Sequence, residues 1–345
     1  NSRAVRDFCI ENALQGIQEY RRDGLRLDAT RAMVDEGPRH FLAELSARVR
    51  TSVPDRTVHL IAEDDRNLAH LVKPEAEGGC GLDAVWADDL HHQMRVRLSG
   101  DRDGYFQDFT GSTDDLTAAI RQGWFYCGQR SAFRGGPRGT DPAGLAPSRF
   151  VICLQNHDQV GNRAFGDRLH HTIDLAAFRA ATALLLCCPQ TPLLFMGQEW
   201  AASTPFQFFT DHHPALGRLV TEGRRREFAH FAAFAEAASL AKIPDPQAAA
   251  TFDRSRLRWS EQTQEPHASV RRLYQALLRL RRQDPAIRHG ACDAAAAGPS
   301  SLILRRRSAS GDELWLAVQL DGAGSIHISA PFGAIHPTGR RETVL

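Results

Sequence analysis

The sequence predicts an α/β fold: the C-terminal part of a (β/α)8 TIM-type barrel, about five of its eight strands, followed by a small antiparallel β domain. Three observations predict it. Short strand patterns alternate with helical ones from Arg3 to Met196, most of those strands are apolar on both faces, and polar residues gather just past each C-terminal strand end. Strands buried on both faces belong to parallel sheets covered by crossover helices. Barrels carry their sites at the C-terminal strand ends.

In chain order, Val5, Phe8, Cys9, Leu14 and Ile17 recur at helical spacing, so a helix is expected from about Arg3 to Tyr20. Asp23 to Asp28 reads as a short alternating strand. Pro38 is expected to open a second helix with Phe41, Leu42, Leu45 and Val49 on its apolar side. Thr57 to Glu63 and Ala84 to Asp88 follow as strands. Thr113 is expected to cap a helix that stops at Gly123. A Gly/Pro-rich loop runs from Arg134 to Pro147. Phe150 to Leu154 is the fourth strand, Leu175 to Cys188 a helix, and Pro192 to Met196 the fifth strand. After Pro246 the texture changes. A helix from His267 to Arg282 precedes strands at Ser301–Leu304, Glu313–Val318 and Ser325–Ile328, with Ser310-Gly311-Asp312 as a hairpin turn. The run Ala294 to Ala297 reads as a linker. The division expected is a partial catalytic barrel over 1–290 and a β domain over 291–345.

Composition narrows the function. The 345 residues are 42% hydrophobic, enough for one large core or two moderate ones. Lys plus Arg is 42 and Asp plus Glu is 41, a balance that argues against nucleic acid or an anionic membrane as partner. No apolar run is long enough to span a bilayer. The 7 cysteines are odd in number and widely spaced, with Cys187 and Cys188 adjacent. They read as reduced, mostly buried thiols of a cytoplasmic protein. No cofactor is expected. Asp88-Asp89 with His91-His92 comes nearest to a metal site, but Asp88 at a strand end fits a sugar contact better, and no metal is expected.

Three carboxylates carry the chemistry. Arg26 and Asp28 are two apart on a strand and share a face. A carboxylate beside a guanidinium stays ionised, as a glycosyl nucleophile must. Glu63 ends an apolar strand and is followed by Asp64 and Asp65. Desolvation and like charge should both favour its protonated form, which a general acid needs. Asn156-His157-Asp158 follows the fourth strand: Asp158 is placed to hold a sugar or its developing positive charge, His157 to donate to a hydroxyl. Each has a plain structural alternative: a sheet-closing ion pair, a solvated acidic loop, an Asx cap. Their placement at the same end of three strands is the stronger argument. Retaining glycosidases hold two carboxyl groups roughly 5–5.5 Å apart, which strand tips of one barrel can supply. Trp86, Trp124, Phe206, Phe208 and Phe209 include candidates for stacking on sugars, and Gln198 and Glu199 for rim contacts.

These residues resemble the α-amylase superfamily of glycoside hydrolases. Gly24-Leu25-Arg26-Leu27-Asp28-Ala29 is similar to its nucleophile motif, Ala62-Glu63-Asp64 to its acid motif, and Asn156-His157-Asp158-Gln159 to its third carboxylate motif. The resemblance implies Asp28 as nucleophile, Glu63 as general acid/base and Asp158 as stabiliser of the distorted sugar. It makes Arg26, Asp64, Asp88, Asn156, His157 and Gln159 substrate-binding. Longer stretches, Glu63 to Asn67, Asp83 to His92, Gln155 to Arg168, Leu193 to Asp211, Gly223 to Phe228 and Pro244 to Gln247, resemble the branch of that superfamily that hydrolyses the α-1,4 bond next to the terminal trehalose of a maltooligosyltrehalose. The implied partner is a maltooligosaccharide-type substrate. Two alternatives are a glycogen-branching enzyme, which uses the same carboxylates, and a non-catalytic glucan-binding derivative. Arg31 and Ala32 stand where many amylases have Lys-His, which argues against a plain α-amylase. The superfamily's earlier Asp/His motif has no match. An N-terminally truncated piece is therefore expected, inactive or poorly folded alone.

Overall fold

Five short strands, β1 (Gly24–Leu27), β2 (His59–Ala62), β3 (Ala84–Trp86), β4 (Phe150–Cys153) and β5 (Thr191–Leu193), form one parallel sheet in that spatial order. A parallel neighbour requires a crossover, usually helical. Helix α1 (Arg3–Gln18) leads into β1, α2 (Phe41–Ser52) joins β1 to β2, α3 (Asp89–Ser99) and α4 (Thr113–Gln122) join β3 to β4, and α5 (Leu175–Cys187) joins β4 to β5. Helices α6 (Pro214–Phe228) and α7 (His267–Gln283) follow. The computed structural model describes residues 2–228 and 237–322.

The register is in step across the sheet, with Leu27 opposite Ala62, Ala62 opposite Val85, Trp86 opposite Val151, and Cys153 opposite Leu193. The C-terminal ends of neighbouring strands therefore fall side by side. Leu60, Val85, Phe150 and Ile152 from the strands pack with Leu42, Leu45, Val49, Phe178, Leu184 and Leu186 from the helices in one continuous core. The Ala/Leu-rich α5 supplies the widest helical share, since every residue from Ala181 to Cys187 is buried.

Several local expectations are corrected. The second helix starts at Phe41, three residues after Pro38, because the His40 ring accepts from the Leu42 amide (3.2 Å) and supplies the cap. Ser112, not Thr113, caps α4: its hydroxyl accepts from the Asp115 amide (3.1 Å). In α1 the buried residues are Ile10, Leu14 and Ile17, whereas Val5 and Phe8 are exposed.

Ala294 to Ala296 is no linker. It belongs to β6 (Ala291–Ala296), which pairs antiparallel with β7 (Ser301–Arg307), itself paired with β8 (Glu313–Gln319). Alanine's small side chain lets α4 approach, and Arg121 donates to the Ala294 carbonyl (2.6 Å). The hairpin turn at Ser310-Gly311-Asp312 forms, closed by Ser308 N–H on Asp312 O (2.9 Å). Leu302, Leu304, Val318 and Leu320 join the barrel's core cluster. The buried Arg306 donates to the carbonyls of Cys187 (2.8 Å) and Ile287 (2.7 Å), tying sheet to helices. The strand expected at Ser325–Ile328 lies outside the described residues.

Candidate active site

The site begins with the tips of β1 and β2. Glu63 N–H donates to Leu27 O (2.9 Å) and Thr30 N–H to Glu63 O (3.1 Å), so the chain leaves both strands in step and Asp28 and Glu63 emerge as neighbours. Ala29 takes a left-handed conformation (φ 45°), which turns its amide onto a Glu63 carboxylate oxygen (2.6 Å). Arg26 is the hub. Its guanidinium pairs with Asp28, reaches Glu63 at 3.4 Å, and lies 4.4 Å over the Trp86 ring at the end of β3. One guanidinium thus lies beside both carboxylates.

Trp86 extends the site to the next strand. Its ring meets His157 edge-on at 6.1 Å, and His157 Nε2 lies 3.6 Å from Asp158. An unbroken run of contacts thus joins Asp28, Glu63, Trp86, His157 and Asp158 across four adjacent strand ends. Asp28, His157 and Asp158 are open to solvent, with side-chain exposures of 78%, 47% and 45%. Gln159 accepts from the Tyr105 hydroxyl (2.9 Å), and Tyr105 stands near Phe133, ring centroids 6.3 Å apart. Both rings are exposed at the rim, and such faces stack on sugars.

Other expected contacts turn inward. Asp64 and Asp65 each have a cation of their own. Asp64 is buried and held by the Arg66 guanidinium and the Thr30 hydroxyl (2.9 Å), so it fixes the loop and is not open to a sugar. Burial pushes its carboxyl up, but those donors outweigh burial and hold it below the usual range. Asp65 pairs with Arg134. Asn156 is buried and caps the short turn His157–Gly161 by accepting from the Gln159 amide (2.8 Å), the Asx alternative. Gln198 is buried against the Tyr274 hydroxyl (2.8 Å), not at the rim. Trp124 packs on Phe150 in the core, Phe206 on Phe195, Phe208 under Arg224, and Phe209 on Phe252. His91 and His92 face each other and an aromatic cluster of Tyr105, Phe106 and Phe109. Burial pushes His91 down to about 3 and His92 well down, keeping both neutral. Asp88, just past β3, is half-buried.

Sequence reasoning missed the support. Asp89, fully buried, accepts from Asn67 (2.7 Å) and the amides of Phe125 (2.8 Å) and Tyr126 (2.9 Å), and forms an ion pair with Arg138 (2.7 Å). It anchors the 124–140 loop to the loop after Glu63. No short motif announces such a network. The only signal is an acidic pair opening a helix, where the first-turn carboxylate suits the dipole.

A parallel sheet with an Asp, a Glu and a His-Asp pair at neighbouring strand ends is the plan of an α-amylase-type glycoside hydrolase barrel. No protein-family model matches the chain. It is 42% identical to a malto-oligosyltrehalose trehalohydrolase of Deinococcus radiodurans over 99% of this chain and 57% of that one. It is 34% identical to one of Saccharolobus solfataricus over 94% and 51%. A crystal structure of a putative α-amylase from Salmonella typhimurium superposes with a TM-score of 0.84 at 38% identity, covering 92% of this chain and 54% of that one. The chain belongs to the malto-oligosyltrehalose trehalohydrolase family, and it spans about half the length of the relatives it matches.

Proposed function

We propose that this chain carries the carboxylates of a retaining glycoside hydrolase that cleaves the α-1,4 bond next to the terminal trehalose of a maltooligosyltrehalose, releasing trehalose. The observation that supports it most is Arg26 held between Asp28 and Glu63. In this reading Asp28 attacks the anomeric carbon and forms a glycosyl ester. Glu63 gives its proton to the departing oxygen and then takes one from the attacking water. Asp158 faces the sugar's developing positive charge. Arg26 orients Asp28, His157 and Gln159 meet sugar hydroxyls, and Asp88 contributes a contact beside Glu63. Asp64 and Asn156 act from behind, as loop anchor and cap. The 7 unpaired cysteines, 4 of them buried, fit a reducing, cytoplasmic setting. No helix of the described residues is long and apolar enough to cross a membrane.

The test is incubation with maltooligosyltrehalose and assay of free trehalose. It uses this chain completed by the region of the Deinococcus radiodurans relative that it does not match. Trehalose release that vanishes in Asp28→Ala supports the reading. New branch points in the glucan would assign a branching enzyme, and binding without turnover a non-catalytic derivative.

A further inference from the structure

His157, Asp158 and Gln159 ride on one short turn, His157–Gly161, that follows β4. So short a turn does not hold its conformation alone, because it fixes many dihedral angles for few hydrogen bonds. Its place depends on what grips its ends. At the front, the buried Asn156 side chain accepts from the Gln159 amide (2.8 Å). At the back, the grip comes from a distant element. Arg224, in α6, sends one nitrogen, Nη2, to Gly161 O (2.9 Å) and to Arg163 O (2.8 Å). Arg224 is 8% exposed, and its guanidinium lies 4.8 Å over the Phe208 ring and 5.1 Å over that of Phe228. Burying a guanidinium is costly unless its N–H groups find acceptors. Here the hydrogen bonds its side chain makes among the described residues go to these two carbonyls alone. The Arg163 side chain does a different job: it pairs with Asp101 (3.1 Å) and Asp167 (2.5 Å), which ties down the loop beyond the turn.

We propose that Arg224 is a positioning residue, which fixes the turn that aims Asp158 and His157 at the sugar by holding the Gly161 and Arg163 carbonyls. This rests on the glucan reading above, in which Asp158 faces the developing positive charge. Arg224 is buried behind the turn and touches no sugar, so it acts on the reaction only through the turn. A lysine cannot replace it, because an ammonium loses the planar stacking between the two phenylalanine rings and presents its donors from a flexible stem. A group used in the transition state and displaced by about 1 Å can lose about a hundredfold in rate. That loss falls on kcat, since substrate binding before the reaction uses the rest of the site.

The experiment is a double-mutant cycle in the completed protein, read by steady-state trehalose release from maltooligosyltrehalose. Arg224→Lys and Asp158→Asn are made singly and together. Arg224→Met, which keeps the apolar stem and buries no charge, is carried through the same cycle, and a thermal melt identifies which variant is folded at the assay temperature. Arg224→Lys and Arg224→Met should each lower kcat about 10- to 100-fold and leave KM within about threefold. With Asp158→Asn already in place, the same changes should lower kcat by less than about threefold, because the group they displace is gone. An undiminished kcat in the Arg224 variants overturns the proposal. So does a full further loss in the Asp158→Asn background, which marks a general structural effect, and so does a rise in KM alone. Loss in Asp158→Asn beside full activity in the Arg224 variants removes Arg224 and leaves the glucan reading standing. Full kcat in Asp158→Asn sinks the role given to Asp158 in that reading, and the role of Arg224 with it.

Discussion

Arg26 touches Asp28, Glu63 and the Trp86 face at once, which a lysine cannot reproduce, because an ammonium lacks the planar fork and the flat stacking surface. Arg26→Lys in the completed protein is therefore expected to lower kcat at least tenfold with little change in melting temperature. Steady-state trehalose release beside a thermal melt decides it, and unaltered kcat would remove Arg26 from the site. In the loop between β1 and α2, Asp35 predicts a pH effect. The Gly37 amide and Arg6 hold its carboxyl at about 2, below the unfolded value near 3.9. A depressed carboxyl stabilises the fold above the unfolded value and loses that contribution as pH falls toward 2. Asp35→Asn should be less stable than the unsubstituted chain at pH 7, and the gap in urea midpoints should close between pH 4 and pH 2. A gap that persists at low pH would mean the loss comes from packing. The placement of Asp28, Glu63 and Asp158 past the C-terminal ends of β1, β2 and β4 was legible in the sequence because each follows an apolar run. The inward turn of Asp64 and Asn156 was not, because Arg66 and Cys153, which hold them, are equally compatible with the outward rotamer on paper.

Among the elements, β1 to β5 and α5 were readable because continuous apolar runs have few other uses. Helix α3 was not. Its sequence shows no clean apolar stripe, yet Asp89, Gln93 and Arg95 are buried. Hydrogen bonds replace hydrophobic spacing: Gln93 accepts from the Gly111 amide (2.7 Å) and Arg95 donates to Asp101 (2.6 Å). A helix buried through polar contacts has no period for a sequence to reveal. The 124–140 loop offers a sharp test of how the rim is built. Gly139 has φ +83°, and a Cβ there would meet the Tyr126 carbonyl oxygen at 1.7 Å. Gly139→Ala combines a left-handed alanine with a backbone collision, so a loss of about 2 kcal/mol or more is expected from urea unfolding, with weaker glucan binding through displaced Phe133. For comparison, Leu185→Ala in α5 removes a core side chain that is 1% exposed and should cost about 2–5 kcal/mol while leaving the rim in place. An effect of the glycine change smaller than half a kcal/mol would show that the loop is not the fixed wall described above.

For the whole molecule the decisive feature is the sheet's two free margins. Among the described residues β1 pairs only with β2 and β5 only with β4, so each outer strand presents backbone groups that no described strand pairs. Beside β1 lies an open groove of about 640 Å³ between Leu25 and Leu27 of the strand and Val5, Cys9 and Ala13 of α1. Val5 and Phe8 on α1 and Tyr20 just past its end are 60%, 74% and 68% exposed, an apolar face without a cover among the described residues. Unpaired edges and apolar faces drive association. The geometry also says what fits. Helix α1 leads directly into β1, and a crossover helix in a parallel sheet connects two neighbouring strands with right-handed sense. A parallel strand N-terminal to α1 would therefore lie along the free edge of β1 and close the groove, and a barrel of eight would join that side to β5. The prediction is that the 345 residues alone self-associate and release no trehalose. The unmatched region of the Deinococcus radiodurans relative, supplied as a separate polypeptide, should form a one-to-one complex with them and restore release. Size-exclusion chromatography with light scattering, followed by the trehalose assay, reads both. If the isolated chain is monomeric and turns over maltooligosyltrehalose at an ordinary enzyme rate, about 10 per second, then the five strands form a complete catalytic unit and the open margins have no partner to wait for.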